Sequence, residues 1–122
     1  MSQLPFKHPV RIYWEDTDAG GVVYHASYVC FLERARSEWL RDAGITQEAL
    51  RADWDLVFAV RAMRLDFLKP ARLDDLLDVS IERVELRPAS MVFAQQLRRA
   101  GDGALLVSED GNDTIWRISV KK

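Results

Sequence analysis

The segment from residue 24 to residue 43 most constrains the fold, because its apolar side chains recur at spacings of three and four. This period is typical of an amphipathic helix and predicts one apolar stripe about four turns long. The stripe consists of Tyr28, Val29, Leu32, Ala35, Arg36, Trp39, Leu40 and Ala43. Gly44 follows directly and favours the left-handed conformation in which helices end. Thr46 then predicts the N-cap of a short helix over residues 47–51. The rest of the chain must supply a layer that covers the stripe.

The remaining regular segments alternate with a period of two, which is typical of strands. These segments are residues 8–14, 56–67, 76–86, 91–98, 104–107 and 114–120. Before the last of them, residues 110–113 are strong turn formers, so we expect a turn there and a short final strand beyond it. One long helix with about five or six mostly antiparallel strands predicts an α+β domain whose sheet wraps around the helix. Because no repeat or linker divides the chain, we expect residues 1–122 to form a single domain.

Composition excludes several classes of protein. The 122 residues are 48% hydrophobic and 30% charged, which argues against intrinsic disorder. Lys and Arg number 17 against 19 Asp and Glu, so the net charge is -2 and no nucleic-acid partner is expected. Cys30 is the only cysteine, which excludes an internal disulfide; we expect it to be buried as a small apolar residue. The N-terminus lacks a signal peptide and no run of 18 apolar residues occurs, so we expect a cytoplasmic protein without a transmembrane segment.

Residues 13–28, YWEDTDAGGVVYHASY, have the chemistry of a candidate active site. Asp16 and Asp18 precede two glycines, and the predicted helix begins shortly afterwards, near His25. A helix N-terminus offers unpaired N–H groups and a partial positive charge, which stabilise an oxyanion while a carboxylate acts on a carbonyl. Alternatively, both aspartates are turn residues whose side chains bond to the loop backbone. No metal site is expected, since no further histidine lies near His25 in the sequence.

Four segments of the chain carry a resemblance to a known family. They are EDTDAGGVVYHASY, FLERARSEWLR, FLKPARLDD and RPASMVFAQQL, in that order over residues 10 to about 108. Together they resemble the 4-hydroxybenzoyl-CoA thioesterase family of hot-dog folds, and within it the Tol–Pal-associated acyl-CoA thioesterases of bacteria. The resemblance implies a hot-dog fold and hydrolysis of acyl-CoA to free acid and CoA, with no cofactor or metal. It also implies a homo-oligomer, dimer or tetramer, and a functional link to the cell-envelope Tol–Pal system.

The resemblance assigns catalytic roles to particular residues. Asp18 corresponds to the family's catalytic carboxylate, which acts as nucleophile or as general base. The backbone N–H near His25 corresponds to the donor that binds the thioester carbonyl, and the His25 side chain would orient substrate or water. Asp16 is interpreted as a structural partner of the loop backbone.

The resemblance also implies that four further residues bind substrate. Tyr13 and Tyr24 would line the site. Arg87 and Ser90 correspond to positions at which relatives hold the nucleotide and phosphates of CoA. The alternative for Arg87 is a solvated charge at the edge of the sheet.

Two other functions remain as alternatives on the same fold. A non-catalytic hot-dog subunit would bind an acyl group or a protein partner without turnover. A hot-dog dehydratase would need a histidine and an acid on the helix, which Asp18, ahead of the helix, does not provide. The sequence leaves open the length of the acyl group and whether it is aromatic or aliphatic.

Overall fold

Helix α1 (His25–Asp42) lies at the centre of the structure, a computed structural model that describes residues 3–119 without the side chains of residues 110–114 and 116–119. The helix ends as the sequence predicts. Gly44 has a φ of +82°, its N–H donates to Arg41 O at 2.9 Å, and the Ile45 N–H donates to Leu40 O at 3.0 Å. These bonds satisfy carbonyl groups at the end of the helix that have no partner within it.

The predicted stripe of α1 is largely buried, but Phe31 takes the place that the spacing gave to Val29. The buried side chains are Tyr28, Phe31, Leu32, Ala35, Arg36, Trp39 and Leu40. Phe31 is fully buried, whereas Val29, which the spacing placed in the stripe, is 37% exposed.

The second helix, α2 (Gln47–Trp54), begins where the sequence predicts and continues beyond the predicted end at residue 51. Thr46 is its N-cap, because the Thr46 Oγ1 accepts the Ala49 N–H at 3.1 Å. The helix ends at Asp55, which adopts the left-handed conformation with a φ of 55°.

Within the described residues, six strands form one antiparallel sheet. They are β1 (Phe6–Arg11), β2 (Leu56–Ala62), β3 (Asp66–Phe67), β4 (Leu76–Leu86), β5 (Ser90–Arg99) and β6 (Leu105–Ser119). The order across the sheet is β1-β4-β5-β6-β2, and β3 also pairs with β6. The predicted α+β class is confirmed. No helix in the described part of the chain is both long enough and apolar enough to cross a membrane.

Two of the predicted strands are shortened or divided where other hydrogen bonds replace sheet pairing. Strand β1 ends at Arg11, before the predicted end at residue 14, and Trp14–Asp16 forms a 3₁₀ turn. The predicted strand over residues 56–67 divides into β2 and β3. Between them, the Arg64 N–H donates to the buried Glu109 carboxylate at 2.8 Å instead of to a neighbouring strand.

The prediction of a turn at residues 110–113 is wrong, since β6 continues through these residues. Phe93 pairs with Asp113 while the next residue of β5, Ala94, pairs with Asp110, so Gly111 and Asn112 are two extra residues in β6. This arrangement is a bulge. Strand β6 also pairs with β3 before the bulge and with β2 after it, so pairing on both sides outweighs the local preference for a turn. Val120, the predicted end of this strand, lies outside the described residues.

The core lies between α1 and one face of the sheet, in two adjoining clusters. The N-terminal half of α1 packs on Val10, Ile12, Leu77, Val79, Leu97, Leu106 and Val107. Its C-terminal half packs on Ile81, Phe93 and Ile115. Gln95 is fully buried and holds the helix to the sheet, because its Nε2 donates to Leu32 O at 3.1 Å and its Oε1 accepts Arg36 Nη1 at 2.8 Å. The sheet therefore fixes where the N-terminus of α1 points.

Candidate active site

The loop between β1 and α1 folds back on itself before the helix begins. The Asp18 N–H donates to Val22 O at 2.9 Å, and the Gly21 N–H donates to Asp18 O at 3.0 Å. Gly21 needs to be glycine because its φ is +79°. This tight turn places Asp18 beside the start of α1.

The two oxygens of the Asp18 carboxylate have different environments. Oδ1 accepts the Gly20 N–H at 2.8 Å, which is the turn-type bond expected of an aspartate in a loop. A Cβ on Gly20 would lie only 3.2 Å from this oxygen, so glycine allows the close approach. Oδ2 accepts no hydrogen bond within the described part of the chain and is available to a ligand. Both interpretations of Asp18 from the sequence, turn residue and reactive carboxylate, are therefore compatible with its geometry.

Asp16 is a structural residue, as the sequence analysis interpreted it. Its Oδ2 accepts the Tyr13 N–H at 2.9 Å, and its backbone O accepts the Tyr24 N–H at 2.8 Å. Asp16 therefore joins the two ends of the loop that carries Asp18.

The N-terminus of α1 presents backbone donors beside this loop. Tyr24 is the N-cap residue and makes no side-chain cap, and its O accepts the Ser27 N–H at 2.9 Å. The N–H groups of His25 and Ala26 are in the first turn and have no partner within the helix. The His25 ring packs 4.6 Å from the Tyr24 ring and 6.3 Å from the Phe67 ring, centroid to centroid.

A cleft of about 360 Å³ opens between this helix start and the segment after β3. Its lining residues are Asp18, Val22, Val23, His25, Tyr28, Phe67, Leu68, Lys69 and Pro70. Phe67 and Leu68 are 52% and 54% exposed, and together they make the outer wall of the cleft apolar.

Tyr28 is a cleft residue that the sequence analysis treated only as part of the apolar stripe. Its side chain is buried and its Oη accepts the Ala71 N–H at 3.0 Å. Burial raises the pKa of the Tyr28 phenol above its ordinary value, so the hydroxyl is neutral at physiological pH. The sequence feature that could have placed Tyr28 in the cleft is its position one helical turn after His25, on the same side of α1.

The structure brings together some of the predicted site residues and not others. Asp18 and His25 line one cleft, and Tyr24 contacts His25 without lining it. Tyr13 is 62% exposed and lines a neighbouring depression instead. Arg87 and Ser90 close the hairpin between β4 and β5, where the Arg87 N–H donates to Ser90 O at 2.9 Å. Neither belongs to the lining of the Asp18 cleft.

Cys30 is exposed on α1, so the expectation that it would be buried is wrong. No group of three or more His, Cys, Asp or Glu side chains within the described residues is arranged to hold a metal ion.

Comparison with known proteins identifies the family. The model of the thioesterase superfamily matches residues 20–105. An acyl-CoA thioester hydrolase, YbgC, from Escherichia coli is 49% identical over 109 residues, covering 89% of this chain and 81% of that protein. An acyl-CoA thioesterase YbgC from Haemophilus influenzae is 50% identical over 94 residues, covering 77% of this chain and 69% of the relative. The crystal structure of a probable thioesterase from Bartonella henselae superposes with a TM-score of 0.85 at 36% identity, covering 93% of this chain and 90% of that one. The fold is the hot-dog fold that the sequence resemblance implied, and the chain belongs to the thioesterase superfamily.

Proposed function

We propose that this protein hydrolyses acyl-CoA thioesters to a free acid and CoA. The observation that carries the proposal is that Asp18 and His25, the first residue of α1, line the same cleft. Relatives at 49% and 50% identity that are named for this activity support it.

Asp18 is proposed as the catalytic carboxylate, and it acts through the oxygen that the Gly20 N–H does not bind. In one form of the mechanism Oδ2 attacks the thioester carbonyl carbon, the CoA thiolate leaves, and water hydrolyses the resulting mixed anhydride to release the acid and regenerate Asp18. In the other, Oδ2 removes a proton from a water that attacks the carbonyl carbon, and the proton passes to the CoA thiolate as it leaves. Both forms begin with an ionised carboxylate. In both, the carbonyl oxygen becomes negatively charged before the sulfur of CoA departs.

The N–H groups of His25 and Ala26 are proposed to bind that negative oxygen. They are already fixed by the helix, so no reorganisation is needed as the charge develops. Loss of one such donor costs on the order of 3 kcal/mol of transition-state stabilisation. The His25 ring, held between Tyr24 and Phe67, is proposed to orient the substrate or the attacking water.

The two ends of the substrate are proposed to bind different surfaces. Phe67 and Leu68 provide an apolar wall for the acyl group. Arg87 and Ser90 are proposed to hold the nucleotide and phosphates of CoA, since the guanidinium of Arg87 is exposed in the β4–β5 hairpin and matches phosphate geometry. Tyr13 and Tyr24 are proposed to contact substrate at the rim.

The resemblance to bacterial Tol–Pal-associated thioesterases also supports a proposal about domain organisation, assembly and cellular location. Residues 1–122 form one domain that assembles as a homodimer or homotetramer, acts in the cytoplasm and is linked functionally to the Tol–Pal system. Among the described residues, β1 and β2 lie at the edges of the sheet and each pairs with another strand on one side only, which supports assembly because such edges are commonly covered in native proteins.

Thiol release from a panel of acyl-CoAs tests the function. The purified protein is mixed with short, long and aromatic acyl-CoAs, and free CoA is followed with a thiol reagent while binding is measured by calorimetry. We expect turnover of at least one acyl-CoA. Tight binding of acyl-CoA without release of thiol would instead identify a non-catalytic binding subunit.

A further inference from the structure

Arg99, the last residue of β5, makes three side-chain polar contacts, two with the segment of residues 70–75 and one with the turn that follows β5. Its Nη2 donates to Pro70 O at 3.0 Å, its Nε to Asp75 Oδ2 at 3.2 Å, and its Nη1 to Asp102 Oδ2 at 2.9 Å. The side chain is 25% exposed and does not line the Asp18 cleft. The hydrogen bonds to Asp102 and then to Asp75 raise the pKa of Arg99, so the guanidinium stays charged.

The segment that Arg99 holds forms one wall of the cleft. Pro70 lines the cleft, and the next residue, Ala71, is fully buried. The Ala71 N–H donates to Tyr28 Oη at 3.0 Å, and Ala71 O accepts the Val23 N–H at 2.9 Å. A single residue, Ala71, therefore connects the wall to α1 and to the loop that carries Asp18.

Asp75 anchors the other end of the same segment. Its Oδ2 accepts both the Arg72 N–H at 2.9 Å and the Arg99 Nε, and its backbone O accepts the Ile12 N–H at 2.9 Å. The charges of Asp75 and Arg99 act on the pKa of Tyr28 in opposite directions, so both lie within electrostatic range of the phenol. Residues 70–75 are thus fixed to the sheet through Arg99 at both ends.

We propose that Arg99 is a positioning residue, which holds the peptide at Pro70 and Ala71 so that the cleft wall stays in register with Tyr28 and the Asp18 loop. Its rigid, planar fork of donors allows one side chain to bond three acceptors in fixed directions, which the single ammonium of lysine does not reproduce. The effect on catalysis rests on the proposed function, whereas the effect on the wall does not.

Amide exchange at Ala71 tests the positioning directly. We expect Arg99→Gln to increase the exchange rate of the Ala71 N–H at least about tenfold relative to Val79, a fully buried residue of β4 that reports global unfolding. The matched control is Arg98→Gln. Arg98 precedes Arg99 on β5 and bonds Gly103 O at 3.1 Å and Gln96 Oε1 at 3.3 Å, without contacting residues 70–75. The control should leave the exchange at Ala71 unchanged.

Activity gives a second readout. We expect Arg99→Gln to lower kcat about tenfold while KM changes less, because the wall that frames the reacting groups moves. Arg98→Gln should retain the wild-type kcat. Should Arg99→Gln be too unstable to study, Arg99→Lys serves in its place and is also expected to increase exchange at Ala71.

The outcomes distinguish the positioning role of Arg99 from the proposed hydrolysis of acyl-CoA. An unchanged Ala71 exchange rate in Arg99→Gln, or in Arg99→Lys where that variant is used, overturns the positioning role. Equal increases in the Arg98 and Arg99 variants overturn it as well. If the wild-type protein releases no thiol from acyl-CoA but Ala71 exchange still depends on Arg99, the proposed function fails and the positioning role stands.

Discussion

The hydroxyl of Tyr28 offers a measurable test of how the cleft is held together. Tyr28→Phe keeps the ring and its packing, with Phe67 5.9 Å away and Phe31 6.3 Å away between centroids. It removes the oxygen that accepts the Ala71 N–H, and Ala71 is fully buried. The buried Ala71 N–H then loses its partner in the protein, at a cost of about 1–3 kcal/mol of unfolding free energy.

Urea denaturation at pH 7 measures this cost, with Tyr24→Phe as the control. Tyr24 is 47% exposed, and its phenol makes no hydrogen bond within the described residues, so its loss should change stability by less than about 0.5 kcal/mol. We expect the midpoint for Tyr28→Phe to fall with an unchanged m-value. Equal midpoints for the two variants would refute the inference that the Tyr28–Ala71 bond stabilises the cleft.

The difference in stability between wild type and Tyr28→Phe should also depend on pH. Burial raises the pKa of Tyr28 in the folded protein, while the unfolded chain ionises near the ordinary tyrosine pKa of about 10. The stability that wild type gains over Tyr28→Phe is therefore complete below about pH 10 and decreases as the pH rises through the folded pKa. Urea midpoints measured at pH 7, 10 and 11 check the sign, since a gap that widened with pH would contradict it.

Three further predictions concern the loop, the CoA site and assembly. Gly21→Ala should cost about 1–2 kcal/mol of stability, because a φ of +79° disfavours any residue with a Cβ, while Gly101→Ala, without a positive φ, should be nearly neutral in thermal denaturation. Arg87→Ala should raise KM for short and long acyl-CoAs alike, with kcat nearly unchanged and a smaller loss at high salt; an unaltered KM would return Arg87 to a solvated edge charge. Static light scattering should give at least twice the chain mass of 14.0 kDa, and a monomer mass would contradict the proposed oligomer.

Local signals predicted the elements whose determinants lie close together in the sequence. The spacing of apolar residues, Thr46 and Gly44 were sufficient to place α1, its end and the start of α2. For the same reason, the sequence could predict that Asp18 and His25 lie near one another, since a single turn of the loop separates them. These features depend on hydrogen bonds between near neighbours and on one apolar stripe.

The features that the sequence analysis missed depend mostly on residues far apart in the chain. Residues 110–113 look like a turn, but pairing with β5 and with strands β3 and β2 makes them part of β6. Tyr28 resembles an ordinary core residue until Ala71, 43 positions later, donates to its hydroxyl. Cys30 is exposed because it lies on the side of α1 away from the sheet, which residue type alone does not reveal.

The turnover of Asp18→Asn tests the central claim most directly. Asparagine keeps the shape of the side chain and an oxygen to accept the Gly20 N–H, but it lacks the charge that both forms of the mechanism require. The control is Asp16→Asn, which makes the same change in the same loop at a carboxylate already bonded to the Tyr13 N–H. With acyl-CoA at saturating concentration, thiol release should give a kcat for Asp18→Asn at least about a hundredfold below wild type, with KM and Tm little changed. Asp16→Asn should act mainly on Tm and keep kcat close to wild type. A wild-type kcat for Asp18→Asn would contradict the account.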